Sequence, residues 1–299
     1  MERTSDMDEN PTHSASLLPI ISNKSFNRLR EIVYRESGIS LGDQKKVMLS
    51  TRISKRMRAT DTSTYEEYID FISDPSARGN ELIFMIDAVT TNKTDFFRED
   101  HHFEFLTHTL LPRLKISRGI SPENPLRIWS AGCSSGEEPY TIAFVLSEFF
   151  SGEPNLFNIT ATDLSTKVLN KAVRAIYSKN AVQDIPKQIR FKYMMRGAGE
   201  WSDYWRVRPE IRRTVTFGRL NFIDNNYGFK NLFDIVFHRN VMIYFDRETR
   251  TSNLAKISRN LVDDGYLFIG HSETLHQITN EFKLEAQTIY RKKPTQSGV

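Results

Sequence analysis

The chain has 299 residues, with 41 lysines and arginines against 37 acidic residues, which gives a formal net charge of +4. Hydrophobic residues make up 39% and charged residues 26%, which excludes a fibrous or wholly disordered chain. The single cysteine, Cys133, excludes an internal disulfide and a zinc site built from cysteines. Because residues 1–14 are polar and no apolar run approaches a membrane span, we expect a cytoplasmic protein without a signal peptide or membrane insertion.

Residues 1–95 are predicted to form a tail and a helical domain. Residues 1–20 mix acidic, amide, hydroxyl and proline residues with little apolar periodicity, which is typical of a disordered tail. In residues 21–95 apolar side chains recur at helical spacing, for example at Leu49 and Ile53, so we expect an all-helical N-terminal domain of short helices. Residues 96–125 are assigned as a linker.

One predicted helix of this domain, between residues 42 and 58, carries dense positive charge. Its basic residues are Lys45, Lys46, Arg52, Lys55, Arg56 and Arg58. Two interpretations fit this pattern equally well. The segment is either a basic helix face that solvent covers, or a surface that docks an acidic partner by electrostatic attraction. We expect no nucleic-acid partner, because the net charge is small and the segment lacks neighbouring aromatic residues that would stack on bases.

From residue 126 onward, short β-rich runs alternate with helical patterns. Strands are predicted at residues 126–132, 156–163, 215–221, 233–238 and 265–270, and helices at residues 137–150, 166–177 and 249–261. This alternation predicts an α/β domain with a doubly wound, mostly parallel sheet over residues 126–299. An aromatic-rich stretch at about residues 185–214 interrupts it and predicts a small antiparallel β-subdomain insert.

A run of small residues after the first strand is a candidate ligand-binding turn. Its sequence is Ser130-Ala131-Gly132-Cys133-Ser134-Ser135-Gly136-Glu137-Glu138-Pro139. Glycines let a ligand approach the backbone closely, and ligands of open α/β sheets bind at the carboxyl ends of the strands. A tight turn without a ligand would have a similar sequence, so Gly132 alone does not decide between the two.

Three carboxylates narrow the chemistry of this ligand. Glu137 and Glu138 begin the next helix, where they suit the helix dipole; they would repel a pyrophosphate and attract an ammonium group. Asp163 ends the second strand, where a carboxylate can accept hydrogen bonds from both ribose hydroxyls. A nucleoside that carries an amino acid and no phosphate, S-adenosylmethionine, fits all three.

Polar residues also follow the fourth strand. Asn240 and Tyr244 lie just past its end, where the reacting part of a ligand would sit. A helix cap and a packed aromatic ring are the structural alternative. The Asn/Asp-Pro-Pro-aromatic sequence of DNA amino-methyltransferases is absent at this place, which argues against methylation of base amino groups.

Four motifs, in order along the chain, identify a family. They are Thr90-Thr91-Asn92-Lys93-Thr94-Asp95-Phe96-Phe97-Arg98, Trp129-Ser130-Ala131-Gly132-Cys133-Ser134-Ser135-Gly136-Glu137-Glu138-Pro139-Tyr140, His238-Arg239-Asn240-Val241-Met242-Ile243-Tyr244-Phe245 and Gly270-His271-Ser272-Glu273. Over about residues 24–292 the chain closely resembles the chemotaxis receptor methyltransferases of the CheR type. The resemblance implies a class I, Rossmann-like protein-glutamate O-methyltransferase. Such an enzyme uses S-adenosylmethionine, releases S-adenosylhomocysteine and forms methyl esters on methyl-accepting chemotaxis receptors in sensory adaptation.

The resemblance also implies roles for individual residues. Together with Gly132 of the turn, the expected cofactor-binding residues are Asn92, Thr94, Arg98, Glu138, Asp163, Asn221, Phe222, Asn240 and Val241. Arg98 and Tyr244 are expected nearest the methyl group, as the catalytic residues. Phe222 stands where the family more often has leucine, and Glu137 competes with its neighbour Glu138 for the amino-acid part of the cofactor.

The resemblance favours chemoreceptor helices rich in glutamate as the partner of the basic segment, and we expect the enzyme to be a monomer. Some family members use the β-subdomain to grip a short peptide at the receptor tail, which adds a strand to an exposed edge. The sequence does not decide whether this chain does so. The alternatives are a methyltransferase of the same fold that acts on another protein or on RNA, and a cofactor-binding adaptor without catalysis.

No metal site is expected. His101 and His102 are neighbours in sequence, so on a helix their side chains point about 100° apart, and no carboxylate is spaced to complete a set. Cys133 is expected to be a small residue of the turn rather than a nucleophile. His271 is expected to be a hydrogen-bonded structural residue rather than a base.

Overall fold

The computed structural model describes residues 21–294. The expected tail at residues 1–20 lies outside the described residues. The described chain folds into a helical unit, a large α/β sheet and a small antiparallel sheet. None of the helices in residues 21–294 is both long and apolar enough to cross a membrane.

Four α-helices form the unit between residues 21 and 95. They are α1 (Asn23–Ser37), α2 (Lys46–Ala59), α3 (Tyr65–Ser73) and α4 (Glu81–Val89), and they confirm the predicted short helices. Helix α1 begins where the Ser22 side chain accepts a hydrogen bond from the Ser25 amide, and it ends at Gly38, whose φ is 72°. The unit has its own core, in which Leu49 and Ile53 are fully buried.

The segment predicted as a linker is mostly helical. Helix α5 (His101–Phe105) and helix α6 (Leu111–Ser117) are joined by a π-helical stretch at Leu106–Leu110. Phe103 and Leu114 pack into the same hydrophobic core as the large sheet. This segment therefore belongs to the core of the α/β unit, because burial of its apolar stripe against the sheet stabilises the helices.

The strands form two sheets within residues 126–292. In chain order they are β1 (Leu126–Ala131), β2 (Phe157–Asp163), β3 (Ile176–Ser178), β4 (Met194–Arg196), β5 (Tyr204–Val207), β6 (Val215–Arg219), β7 (Phe233–His238), β8 (Leu261–Ile269), β9 (Phe282–Ala286) and β10 (Ile289–Lys292). The helices between them are α7 (Glu137–Phe149), α8 (Thr166–Arg174), α9 (Lys187–Tyr193), α10 (Pro209–Arg212) and α11 (Arg247–Arg259).

The large sheet has the strand order β6-β2-β1-β7-β8-β10-β9. The five strands from β6 to β8 are parallel neighbours, which confirms the predicted doubly wound, mostly parallel sheet. Because their carboxyl ends meet at one edge, the loops after β1, β2 and β7 lie close together. The antiparallel hairpin of β9 and β10, which adds to β8, was not predicted.

The small sheet begins earlier than the sequence predicted. Its order is β3-β5-β4 with antiparallel pairing, and it starts at Ile176 rather than at about residue 185. Helical spacing predicted a helix through residue 177, but α8 ends at Arg174 and Ala175 takes a left-handed φ of 54°. Since Ala175 breaks the helix, the next three residues are extended and pair with β5.

The helical unit sits over the carboxyl ends of the parallel strands. Asp87 of α4 accepts hydrogen bonds from the amide and the hydroxyl of Thr166 in α8, at 3.1 and 2.8 Å. Ile39, just after α1, forms a β-bridge with Phe245, which follows β7. These two contacts leave a cavity between the helical unit and the sheet edge.

Candidate functional site

The cavity has a volume of about 520 Å³, within the range of small-molecule sites. All of the predicted cofactor-binding and catalytic residues line it: Asn92, Thr94, Arg98, Gly132, Glu138, Asp163, Asn221, Phe222, Asn240, Val241 and Tyr244. They come from the segment between α4 and α5, from the ends of β1, β2, β6 and β7, and from the start of α7. The fold therefore brings the predicted residues into one place, while the role of each stays a prediction.

The turn after β1 exposes its backbone to the cavity. Gly132 and Gly136 have φ angles of 95° and 96°, which glycine adopts without strain. A Cβ atom on Gly132 would lie 2.4 Å from Cγ2 of Val241, so no larger residue fits there. Ser134 donates a 2.9 Å hydrogen bond from its hydroxyl to the carbonyl oxygen of Asn92, which holds the segment between α4 and α5 against the turn.

Asp163 is held in a fixed orientation at the end of β2. Its Oδ2 accepts a hydrogen bond from the Ser134 amide at 2.8 Å, and its Oδ1 accepts one from the Ser165 amide at 2.9 Å. Burial raises the pKa of Asp163, and the backbone amides oppose that rise. Each carboxylate oxygen can accept a second hydrogen bond, so the group can take a pair of neighbouring hydroxyls.

The two acidic residues at the start of α7 point in different directions. Glu138 lines the cavity; its Oε1 accepts a 2.6 Å hydrogen bond from Ser130 Oγ, and its Oε2 lies 3.5 Å from Nη1 of Arg239. Glu137 instead accepts hydrogen bonds from Ser135 Oγ at 2.8 and 3.0 Å, and burial raises its pKa to about 6. The geometry favours Glu138 as the cofactor contact of the pair.

The two predicted catalytic side chains are partly exposed at the cavity wall. Arg98 Nη1 donates a 3.2 Å hydrogen bond to the carbonyl oxygen of Lys93, which leaves further N–H groups of the guanidinium for a ligand. Tyr244 lies in the short turn Met242–Tyr244 after β7. Asn240, which precedes this turn, has a φ of 58°. Its backbone N–H donates a 2.9 Å hydrogen bond to Glu273 Oε2.

The wall after β6 is built by a polar and an aromatic residue. Asn221 donates a 2.7 Å hydrogen bond from its side chain to the carbonyl oxygen of Glu36, which ties this wall to the helical unit. Phe222 is buried and packs edge-on against His238, with ring centres 4.9 Å apart. An aromatic ring thus fills the position where the family more often has leucine, and it still faces the cavity.

His238 is a buried residue of this region that sequence reasoning missed. Its Nδ1 is 3.1 Å from the carbonyl oxygen of Ala131, and its Nε2 is 3.1 Å from the side-chain nitrogen of Asn253. Burial lowers its pKa to about 4, so the ring is neutral near pH 7. A histidine at the carboxyl end of a predicted strand was the available signal. Its contacts fix the ends of β1 and β7 behind the cavity.

The basic segment is only partly available to a partner. Lys45, Lys55 and Arg58 are exposed, whereas Arg52 donates hydrogen bonds to the carbonyl oxygens of Val89 and Thr90. Arg56 forms two hydrogen bonds with Glu81, at 2.9 and 2.5 Å, and its guanidinium lies over the ring of Phe84. Arg52 and Arg56 thus hold α2 and α4 together, and the docking role of the six basic residues stays a prediction.

The expectation that no carboxylate is placed to complete a ligand set with His101 and His102 is wrong. Ligand-type atoms of Glu99, His101 and His102 all lie within 4.8 Å of one another. The buried guanidinium of Arg239 lies 3.6 Å from Glu99 Oε2 and already supplies positive charge there, which disfavours a metal ion. The absence of a metal site stays a prediction.

His271 and Cys133 lie where structural residues are expected. The ring of His271 donates a 3.0 Å hydrogen bond from Nδ1 to Glu99 Oε1. Cys133 is buried beneath the turn, and burial raises the pKa of its thiol well above the ordinary value. A thiol in that state is a poor nucleophile.

Comparison with known proteins gives a consistent result. Residues 92–291 match the family model "CheR methyltransferase, SAM binding domain", and residues 24–90 match "CheR methyltransferase, all-alpha domain". A chemotaxis protein methyltransferase of Borreliella burgdorferi is 41% identical over 259 residues, which cover 85% of this chain and 89% of that protein. The chemotaxis protein methyltransferase of Salmonella typhimurium is 36% identical over 270 residues, which cover 90% of each chain.

The two family models together span nearly all of the described chain, and the relatives align over most of their own length. The cavity lies within the matched binding domain and takes one wall from the matched all-α domain. The chain therefore belongs to the CheR methyltransferase family, as an S-adenosylmethionine-binding methyltransferase of the chemotaxis type.

Proposed function

We propose that this protein methylates glutamate side chains of methyl-accepting chemotaxis receptors, and so forms the methyl esters of sensory adaptation. The observation that carries the proposal is the cavity beneath the helical unit. The carboxylates of Glu138 and Asp163 line this cavity together with Arg98 and Tyr244. The names of the curated relatives, chemotaxis protein methyltransferases, support chemoreceptors as the substrate class.

The residues of the cavity fit S-adenosylmethionine. Glu138 would accept hydrogen bonds from the ammonium group, and Asp163, whose oxygens each retain one acceptor site, would hold the ribose hydroxyls. Asn221 and Phe222 would flank the adenine, while Asn92, Thr94 and Arg98 would close over the cofactor. When bound, the cofactor would supply an electrophilic methyl group on a sulfonium; an ionised carboxylate can attack this methyl carbon without a base, and S-adenosylhomocysteine would leave as a neutral thioether.

The proposed reaction needs no proton transfer to create its nucleophile. A glutamate side chain has a reference pKa of about 4.3, so near pH 7 the nucleophile is already ionised. Catalysis by this chain therefore consists of positioning and of removing water from the reacting groups.

Arg98 and Tyr244 are the proposed positioning groups at the methyl donor. A tight ion pair to the attacking oxygen would lower its nucleophilicity, so Arg98 orients a carboxylate of substrate or cofactor without clamping that oxygen. Its contact with the Lys93 carbonyl oxygen occupies part of the guanidinium and limits how far it can reach. The hydroxyl of Tyr244 would orient the methyl group or the incoming carboxylate.

The helical unit supplies the proposed docking surface for receptor helices. Lys45, Lys46, Lys55 and Arg58 remain for an acidic partner once Arg52 and Arg56 are assigned to internal contacts. Lys45 also lines the cavity, so the basic face leads into the reaction site. A receptor-tail peptide is the second proposed contact, since β3 and β4 are edge strands of the small sheet.

Transfer of labelled methyl from S-adenosylmethionine to receptor membranes tests the proposal. Methyl esters release the label in mild base, so we expect the transferred label to be base-labile. A base-stable product would indicate N-methylation of another target. Binding of the cofactor without any transfer would favour an adaptor role. Either result contradicts the proposed function.

A further inference from the structure

A buried arginine joins the floor of the cavity to the linker. The side chain of Arg239, directly after β7, is 2% exposed and lies between two carboxylates. Its Nη1 is 3.5 Å from Glu138 Oε2, and its Nε is 3.6 Å from Glu99 Oε2. Its Nη2 donates a hydrogen bond to the carbonyl oxygen of Arg98. One side chain therefore contacts the carboxylate proposed for the cofactor's amino group and the backbone of a proposed catalytic residue.

Two carboxylates, those of Glu99 and Glu138, face the single buried guanidinium of Arg239. Glu99 and Glu138 are 9% and 13% exposed and carry two negative charges, against one positive charge on Arg239. His102 stays neutral near pH 7, because burial lowers its pKa to about 3. His271 contacts Glu99 from the exposed side and lies away from the cavity lining. Taken by themselves, these two carboxylates and Arg239 carry one net negative charge, and Arg98 faces Glu138 from the partly exposed side.

The ionisation of Glu138 depends on this arginine. The charged groups that face it are Arg98 and Glu99 from the linker and Arg239 from the end of β7, and Ser130 of β1 donates a hydrogen bond. Burial raises the pKa of Glu138, Arg239 opposes that rise more than any other neighbour, and Glu99 adds to it. Without the guanidinium, two neighbouring carboxylates would share a buried site, where one of them takes up a proton.

We propose that Arg239 is a positioning residue, which keeps Glu138 ionised for the ammonium group of the cofactor and ties that carboxylate to the linker that carries Arg98. The inference rests on the proposed function, in which the amino group of the cofactor lies at Glu138. If Glu138 is ionised before the ligand binds, it releases no proton on binding. The inference therefore predicts that the affinity for S-adenosylhomocysteine is nearly independent of pH near neutrality. 5′-Methylthioadenosine lacks the amino acid and serves as a matched ligand that Glu138 does not contact.

Calorimetric titration of the wild-type protein tests the ionisation of Glu138 without any substitution. The titration with S-adenosylhomocysteine is run at pH 7 in buffers that differ in ionisation enthalpy, which reports protons exchanged on binding. We expect no proton release. Release of about one proton for each bound ligand, with none for 5′-methylthioadenosine, would mean that Glu138 is protonated beforehand and would overturn the proposal.

The variant Arg239→Gln tests the arginine itself. We expect its affinity for S-adenosylhomocysteine to fall on the order of tenfold from pH 8 to pH 6, because loss of the guanidinium raises the pKa of Glu138 further and the carboxyl must then release a proton to bind the ammonium group. Its affinity for 5′-methylthioadenosine should stay constant. Adding Glu99→Gln removes the second carboxylate and should flatten the profile again. Arg239→Lys keeps the positive charge and should keep the flat profile of the wild type.

A matched control is Arg118→Gln, which removes an arginine 3.4 Å from Asp234 at the opposite end of β7. It should leave the pH profile of the wild type unchanged. A flat profile in Arg239→Gln, or an equal loss of affinity for both ligands, would reduce Arg239 to a structural role and overturn the inference. If Arg239→Gln does not fold, a pH-dependent profile in Arg239→Lys overturns it instead.

The variant Glu138→Gln separates this inference from the proposed function. If it leaves the affinity for S-adenosylhomocysteine unchanged, the amino group does not lie at Glu138 and the proposed site itself fails. If it weakens the binding of S-adenosylhomocysteine but not that of 5′-methylthioadenosine, the proposed site stands. If the affinity of Arg239→Gln is then also independent of pH, only the role of Arg239 fails.

Discussion

The backbone amide of Ser40 donates a 2.9 Å hydrogen bond to the carbonyl oxygen of Tyr244. Ser40 follows α1 in the helical unit, and Tyr244 lies in the turn after β7. Both residues line the cavity. The contact ties the helical unit, which carries the proposed docking surface, to the backbone of the residue proposed to orient the methyl transfer.

Replacement of Tyr244 by phenylalanine tests the role of its hydroxyl. We expect Tyr244→Phe to lower kcat on the order of tenfold or more and to leave the Kd of S-adenosylmethionine nearly unchanged, because the hydroxyl is proposed to act at the reacting groups. Steady-state kinetics and calorimetry give the two values. Unchanged turnover would refute the assigned role.

Removal of the Asp163 carboxylate tests the ribose assignment. We expect Asp163→Ala to weaken the binding of S-adenosylhomocysteine roughly tenfold to a hundredfold, since about 1.5–3 kcal/mol is typical for hydrogen bonds to a charged group. Asp163→Asn, which retains one carbonyl oxygen, should lose less. Calorimetry with unaltered affinity in the alanine variant would remove the assignment.

Charge reversal on α2 tests docking to the receptor. We expect Lys55→Glu with Arg58→Glu to raise the KM for receptor several-fold and to leave the KM for S-adenosylmethionine unchanged, with a smaller effect at high salt. Lys115→Glu with Lys283→Glu is the control, because these exposed lysines lie away from the cavity lining and give the same change in net charge. Equal effects of the two double variants would contradict docking at α2.

Arg56 is expected to act on stability rather than on docking. Glu81 is 5% exposed, so Arg56→Met leaves a buried carboxylate without its cation and should cost about 3 kcal/mol of unfolding free energy. Arg58→Met, at an exposed position of the same helix, should change it by less than about 0.5 kcal/mol. Urea unfolding measures both, and equal stabilities would show that the Arg56–Glu81 pair contributes little.

A methyl group on the glycine turn should block the cavity floor. Gly132→Ala places a Cβ 2.4 Å from Val241 and should abolish detectable cofactor binding. Gly152→Ala, at a φ of 84° with open space around it, shares the backbone strain and should bind normally, with a stability loss of about 1–2 kcal/mol. Normal binding by Gly132→Ala would mean that the turn does not form the floor of the cofactor site.

The placement of residues at strand ends was the most predictable part of the site. Gly132, Glu138 and Asp163 follow strands that their apolar runs reveal, and parallel topology then gathers them at one edge. Sequence reasoning could not choose between Glu137 and Glu138, since both begin the same helix. The structure distinguishes them by side-chain direction, because Glu137 turns back to Ser135.

Long-range partners were the part that the sequence could not predict. The basic segment shows six positive charges, but the contacts that occupy Arg52 and Arg56 come from residues near the end of the helical unit, including Glu81 and Val89. Arg239 is one position from the end of a predicted strand, and its burial between two carboxylates depends on tertiary packing. No local spacing encodes either result.

The central claim is esterification of receptor glutamates, and peptide mass spectrometry tests it most directly. The purified protein is incubated with S-adenosylmethionine and a chemoreceptor cytoplasmic fragment, and the fragment is then digested and sequenced by tandem mass spectrometry. We expect the mass of one added methylene on glutamate side chains, removed by mild alkali. Methyl groups found instead on lysine, arginine or another residue type, or a fragment left unmodified by a protein that binds the cofactor, would contradict the account.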